Sequence, residues 1–206
     1  MVLKSMSINI TNLRKQYGNI SILKGISITF NDHKKYLIKG ENGIGKSTLF
    51  KAILNQIQYL GEISVDGSIS YAPEGFNFPP YMTVYKSIKT FSTLTEDIYE
   101  FDKKLDELLD LFNFKSHKYS LLGSLSKGEK QKVNILQAYL TPSKNLLLDE
   151  PLSGLDVNSK EALLNLIKKD DRTVIIISHE LTHFKKKDYN ILELEDGCLT
   201  LISKVH

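Results

Sequence analysis

Disulfide chemistry is closed to this chain: its 206 residues hold one cysteine, Cys198, which builds no disulfide framework and supplies no metal cluster. Proline and glycine are scarce, at 5 and 12 residues, and no repeat period appears, so collagen-like, low-complexity and solenoid chains are excluded. No apolar run approaches the roughly 18 residues of a membrane helix. The chain also starts without a basic stretch leading into an apolar segment, so export is not expected. Arginine is nearly missing. Of 27 basic residues only Arg14 and Arg172 are arginine, and the lysine clusters (Lys34-Lys35, Lys103-Lys104, Lys168-Lys169 and Lys185-Lys186-Lys187) lie near acids. Nucleic-acid surfaces usually add arginine forks and stacking aromatics, so these lysines read as solvated surface and no nucleic-acid partner is expected. The net charge of +3 adds little to that reading.

What is present is enough apolar material for a sizeable core, 41% hydrophobic against 25% charged residues. Residues 6–10 (MSINI) and 26–30 (ISITF) alternate apolar and polar, which predicts half-buried strands in an antiparallel layer near the start of the chain. KYLIKG then runs into ENGIGKST, after which Leu49, Phe50, Ile53, Leu54 and Ile57 recur as on one buried helix face. From Tyr71 to about Leu122 a turn-rich stretch leads into helical spacing at Leu105, Leu108, Leu109 and Phe112, predicting a helical insertion over about 76–140. From Lys144 the apolar runs NLLLDE and TVIIIS alternate with a helix carrying Leu163, Leu164 and Ile167, as in a mainly parallel α/β sheet. ILELE and CLTLI, joined through Asp196-Gly197, read as a closing hairpin.

The strongest local motif is Gly40-Glu41-Asn42-Gly43-Ile44-Gly45-Lys46-Ser47-Thr48, a complete G-x-x-x-x-G-K-S-T between a strand and a helix. Glycines such as Gly43 and Gly45 let the loop curl with its N–H groups inward, and the helix aims its positive end at the same anion. The expected ligand is a nucleotide polyphosphate. Lys46 is expected to bridge the β and γ phosphates, Ser47 to coordinate Mg²⁺, and Thr48 to support the loop or the α phosphate. Asp149 and Glu150 directly follow the apolar Leu146-Leu147-Leu148, at the edge where strands of such sheets meet ligands. There Asp149 suits the Mg²⁺ shell and Glu150 the polarisation of an attacking water, although adjacent acids at a strand end also cap turns.

The segment Leu125-Ser126-Lys127-Gly128-Glu129-Lys130-Gln131-Lys132, followed by Leu146-Leu147-Leu148-Asp149-Glu150-Pro151, resembles the signature of the ATP-binding-cassette (ABC) family. The resemblance covers nearly the whole chain in order: Tyr17, the glycine loop, Tyr71 to Pro80, the signature, Asp149-Glu150, Ser153-Gly154-Leu155-Asp156 and Ile177-Ser178-His179-Glu180. It implies a single nucleotide-binding domain over 1–206 with a P-loop ATPase core, ATP and Mg²⁺ as ligands, and an active site shared across a dimer. Tyr17 resembles the aromatic that stacks on adenine, with ordinary surface or core as its other reading. Asn42 belongs to the phosphate-binding loop. Ser126 and Gly128 resemble the residues that meet the γ phosphate held by a second subunit. Asp156 resembles the residue that communicates between the two sites, and a helix N-cap is its competing reading. His179 resembles the switch histidine that contacts the γ phosphate and holds Glu150 and the water. His33, His117, His183 and His206 read as surface residues.

Two departures matter. Glu74 stands where the family usually has a glutamine that contacts Mg²⁺ and the water; glutamate still coordinates a cation but adds a charge. Lys127 and Glu129 replace the usual glycine and glutamine of the signature. Such variants resemble exporter subunits for drugs, lantibiotics or peptides, so the expectation leans to ATP hydrolysis powering export through separate transmembrane permease subunits. An importer ATPase is the alternative; a soluble family member acting in DNA repair or translation lacks the added machinery it needs. A non-hydrolysing subunit would be marked by loss of Lys46, Glu150 or His179, and all three are present. The expected location is the cytoplasm, against the inner face of the membrane. The aromatic Gly75 to Lys89 stretch is the candidate contact for a membrane subunit, or else packs the insertion.

Overall fold

The alternating segments at the start become long antiparallel strands in the computed structural model, which describes residues 6–75, 78–92 and 98–205. β1 (Met6–Tyr17) pairs antiparallel with β2 (Ile20–Asn31). On its other edge β1 pairs antiparallel with β4 (Leu60–Val65), which follows β3 (Lys35–Lys39) and the helix α1 (Lys46–Ile53) in the chain. Ile8 with Ile10 in β1 and Ile26 with Phe30 in β2 are buried at even spacing, as the period of two requires, while the buried Leu13 and Leu23 fall out of phase with them. The pattern skips a step between Ile10 and Leu13, where the register shifts and Asn12 takes a left-handed backbone (φ 51°).

The chain forms two compact units. The first joins the residues up to Ile69 with Ser143–Asp149 and those from Asp171 onward. Besides the antiparallel layer it holds a second set of strands in the order β6 (Asn145–Asp149), β7 (Thr173–Ile177), β3, β8 (Asn190–Glu195), β9 (Cys198–Ser203). β6, β7, β3 and β8 are mutually parallel, and β9 returns antiparallel through the tight turn at Asp196 (φ 46°) and Gly197 (φ 75°). Every residue of β6 and β7 is buried. That explains their unbroken apolar runs: a parallel strand covered on both faces has no polar side to show. α1 buries Leu49, Phe50, Ala52 and Ile53, but it stops earlier than the apolar spacing predicts, leaving Ile57 beyond its end. Asn55 turns left-handed (φ 54°) and its N–H bonds the Ala52 carbonyl, which ends a helix as glycine often does.

β5 (Ile69–Ala72) leads into the second unit, Ser70–Pro142 with Glu150–Asp170. Its helices are α2 (Val84–Phe91), α3 (Ile98–Leu111), α4 (Lys127–Leu140) and α5 (Val157–Lys169). Val84, Ile88, Leu105, Leu109, Phe112, Phe114, Val133 and Leu136 form its apolar centre. The Thr83 hydroxyl accepts from the Lys86 N–H to start α2, and α3 ends where Asn113 turns left-handed (φ 50°). Unlike the helical segment expected over about 76–140, this unit also includes α5. Phe76, within the expected aromatic stretch, and His206 lie outside the described residues.

The fully buried β6 sets the expected cost of a core lesion. Leu147→Ala, at a side chain with no exposure, is expected to lower the unfolding free energy by about 2–5 kcal/mol, read from urea midpoints at constant slope.

Candidate functional site

Three strands of the first unit end at one edge. In the parallel ladder Ile38 pairs with Ile177, and Ile177 with Asp149. Ser178-His179 after β7 therefore leave the sheet beside Asp149, and Gly40 after β3 leaves it one strand further along the same edge. Asp149 is 2% exposed, while His179 is exposed. The Ser178 N–H donates to the Ile38 carbonyl (3.2 Å), tying the start of the His179 segment to the base of the glycine loop. Glu150, 6% exposed, sits at φ 46°, a conformation that costs a non-glycine residue about 1 kcal/mol or more, and its carbonyl accepts from the Ser153 N–H (3.1 Å).

The glycine loop itself is curled as its composition predicts. Gly43 has φ 81° with open space where a Cβ would stand, so its backbone angle alone calls for glycine. Lys46 is 7% exposed and its Nζ donates to the carbonyls of Gly40 (2.7 Å) and Glu41 (2.9 Å), so the ammonium lies over the loop. α1 starts at Gly45 (φ 116°) with no side-chain cap and no acid in its first turn. Its positive end is left uncompensated, which suits an anion. Asn42 and Ser47 are exposed and Thr48 half-buried. This set fits a polyphosphate carrying a hard cation: Ser47 offers a hydroxyl at the helix start and Asp149 a carboxylate at a strand end on the same sheet edge, with β7 between. Tyr17, the last residue of β1, is about half exposed, with the Lys15 ammonium 4.6 Å from its ring centroid.

The second unit holds the other expected residues. Ser126 is the N-cap of α4, its Oγ accepting from the Glu129 N–H (3.3 Å) while Glu129 Oε2 accepts from the Ser126 N–H (2.7 Å). The Ser126 bonds hold the Glu129 carboxyl below its ordinary value, and His117 Nε2 lies 3.2 Å from its other oxygen. Gly128 is required by packing: a Cβ there would come 2.2 Å from the Gly154 carbonyl oxygen. Asp156 caps α5, accepting from the Ser159 N–H (2.9 Å) and Oγ (2.8 Å). Its Oδ2 also lies 2.8 Å from Lys132 Nζ, which donates to the Phe112 carbonyl (3.1 Å) as well. The hydrogen bond from Lys132, then that from Ser159, holds the Asp156 carboxyl well below the carboxylate range. Glu74 is exposed.

Sequence reasoning missed several of these links. Lys132, 8% exposed, ties α4 to the cap of α5; its only signal is a lysine inside an otherwise buried stretch of helix. It also missed a cleft of about 950 Å³ beside Tyr17, lined by Arg14, Lys15, Gln16, Ser21 and the 55–60 segment. That cleft exists because β1 and β4 bring Arg14 opposite Leu60, a register no local motif announces.

Asp156→Asn keeps the cap and removes the charge facing Lys132. Because the folded carboxyl titrates below its unfolded value near 3.9, the charge stabilises above that pH and its contribution is lost as pH falls further. The variant is expected to be about 1 kcal/mol less stable at pH 7, the gap narrowing below about pH 4, as read from urea unfolding across pH.

Known proteins share this organisation. The family model described as ABC transporter matches residues 23–153. The zinc import ATP-binding protein ZnuC of Rickettsia bellii is 32% identical over 200 residues, covering 90% of this chain and 82% of that protein. The methionine import ATP-binding protein MetN 1 of Staphylococcus epidermidis is 30% identical over 207 residues, covering 89% of this chain but 60% of its own length. A solved structure described as the ATP-binding subunit of an ABC transporter shares the fold with a TM-score of 0.86 at 23% identity, over 95% of this chain and 90% of that one. With well over half of its length matched by the family model, the chain belongs to the ABC transporter family, in the class of its ATP-binding and hydrolysing subunits.

Proposed function

We propose that this chain binds ATP with Mg²⁺, hydrolyses it in a dimer of such subunits, and drives uptake of a solute through separate transmembrane permeases. The observation that carries the reading is the meeting, at one sheet edge, of the curled glycine loop with its buried Lys46, the buried Asp149 and the His179 segment. Family membership implies ATP and Mg²⁺ use, membrane partner subunits and a paired nucleotide-binding subunit. No helix among the described residues is long and apolar enough to cross a membrane.

In this reading the N–H groups around Asn42, Gly43 and Gly45 receive phosphate oxygens, and Lys46 neutralises charge between the β and γ phosphates. Thr48 supports the α phosphate, and Tyr17 stacks on the adenine. Ser47 and Asp149 hold Mg²⁺, with Glu74 as a further oxygen donor; the cation supplies charge neutralisation of the phosphates. Glu150 orients the attacking water and accepts its proton as the oxygen bonds the γ phosphorus and the bond to the β-phosphate oxygen breaks. His179 holds the γ phosphate and the Glu150 carboxylate in register. Ser126 and Gly128 meet the γ phosphate of the paired subunit, and Asp156, through Lys132, links α4 to α5 beside that seam. The paired segments at Thr83 and Leu121 carry the exposed Tyr81, Tyr119 and Leu121, an apolar surface suited to a membrane subunit's cytoplasmic segment, and the half-buried Tyr85 ring lies against both Tyr119 and Phe101.

On direction, the zinc and methionine relatives are named for import, which supports uptake over the export suggested by Glu74, Lys127 and Glu129. Purification of the native complex from membranes is expected to yield a permease and a solute-binding receptor; a membrane subunit with no receptor among its partners would return the assignment to export. Glu150→Gln is expected to keep ATP binding, trap an ATP-bound dimer on size exclusion and lower turnover by about 10²–10⁴-fold. Unchanged steady-state hydrolysis in that variant removes Glu150 from the role of base.

A further inference from the structure

Within the second unit a cavity of about 240 Å³ is lined by Glu74, Gly75, Lys127, Lys130, Gln131 and Ser153. It brings together two residues 53 positions apart at which the sequence departs from the common family pattern, and their charges are opposite. Gln131 is 6% exposed and its buried Nε2 has no hydrogen-bond acceptor among the described residues. Lys127 is the first residue of α4, where the positive helix end disfavours a cation and makes a nearby carboxylate valuable. The acid within that turn, Glu129, is already committed to Ser126 and His117. The backbone around Glu74 is fixed from the same helix: Asn134, 2% exposed, donates from Nδ2 to the carbonyls of Pro73 (3.3 Å) and Gly75 (2.7 Å). The backbone on either side of Glu74 is therefore tied to α4.

We propose that Lys127 is a positioning residue for Glu74: ammonium and carboxylate close on each other across this cavity, in competition with the role of Glu74 at the nucleotide. Opposite charges on a short, α4-held arm let the start of the signature helix withdraw or release Glu74. In the present conformation neither Glu74 nor Lys127 forms an ion pair with another described residue, so both are available for the pairing. The consequence for turnover rests on the ATPase reading above; the pairing itself does not.

The test is a double-mutant cycle in the full chain with Glu74→Gln and Lys127→Gln, and Lys127→Arg as the conservative control. Releasing Glu74 by Lys127→Gln is expected to raise kcat for ATP about 2- to 5-fold with KM unchanged, the worth of a part-exposed ion pair. The same substitution is expected to change nothing further in the Glu74→Gln background, and Lys127→Arg to keep wild-type turnover. Raising salt from low to about 0.5 M should lift wild-type kcat relative to that of Lys127→Gln. Equal fold-changes in both backgrounds, or Lys127→Arg behaving as Lys127→Gln, overturn the pairing. Urea unfolding of the same four nucleotide-free proteins gives an independent reading, non-additive midpoints supporting the pair and additive ones overturning it. Wild-type protein that binds no ATP would instead sink the ATPase reading and leave the unfolding cycle to decide the pair.

Discussion

Parallel pairing of β6, β7 and β3 is the constraint from which the first unit follows. Strands that run the same way must be joined by long crossovers, and their carboxyl ends then lie side by side. Once Leu148 pairs with Ile176 and Leu37 does the same from the other side, Gly40, Asp149 and Ser178 have no other edge at which to emerge. The meeting of the glycine loop, Asp149 and the His179 segment is therefore a matter of register, whereas Tyr17 arrives separately on β1.

Much of this was legible in the sequence because its signals are local. A glycine loop between an apolar strand and an apolar-striped helix states its own geometry, and unbroken runs such as LLL and VIII announce strands buried on both faces. Asp196-Gly197 specified its turn in the same way. The features that escaped depend on distant partners. The early end of α1 is set by Asn55, and the shift in β1 by Asn12; both are asparagines that tolerate a left-handed backbone but do not declare that they use it. Lys132 reads as another surface lysine until Phe112, Phe114 and Asp156 surround it. Nor does the sequence announce that the carboxylate capping α5 at Asp156 also accepts from Lys132.

The start of α4 shows how one short motif answers several demands. The Ser126 hydroxyl and the Glu129 carboxylate satisfy each other's N–H groups, so the replacement of glutamine by glutamate retains the cap while adding a charge that His117 faces. Gly128 allows the Gly154 carbonyl to approach, and Gly154 itself is left-handed at φ 74°. Small residues in this motif are thus needed by the chain's own packing, whatever ligand they also meet. A substitution that looks like a loss of ligand contact there carries a folding cost as well.

The place of β3 in its sheet governs how the protein is made. That strand is complete by Lys39, yet the neighbours that pair its two edges, β7 and β8, are not synthesised until residues 173 to 195. During translation the glycine loop and α1 hang from a strand whose hydrogen-bonding groups are unpaired on both sides for most of the ribosome's passage. Such an edge stays open to pairing with other strands until β7 and β8 have been made.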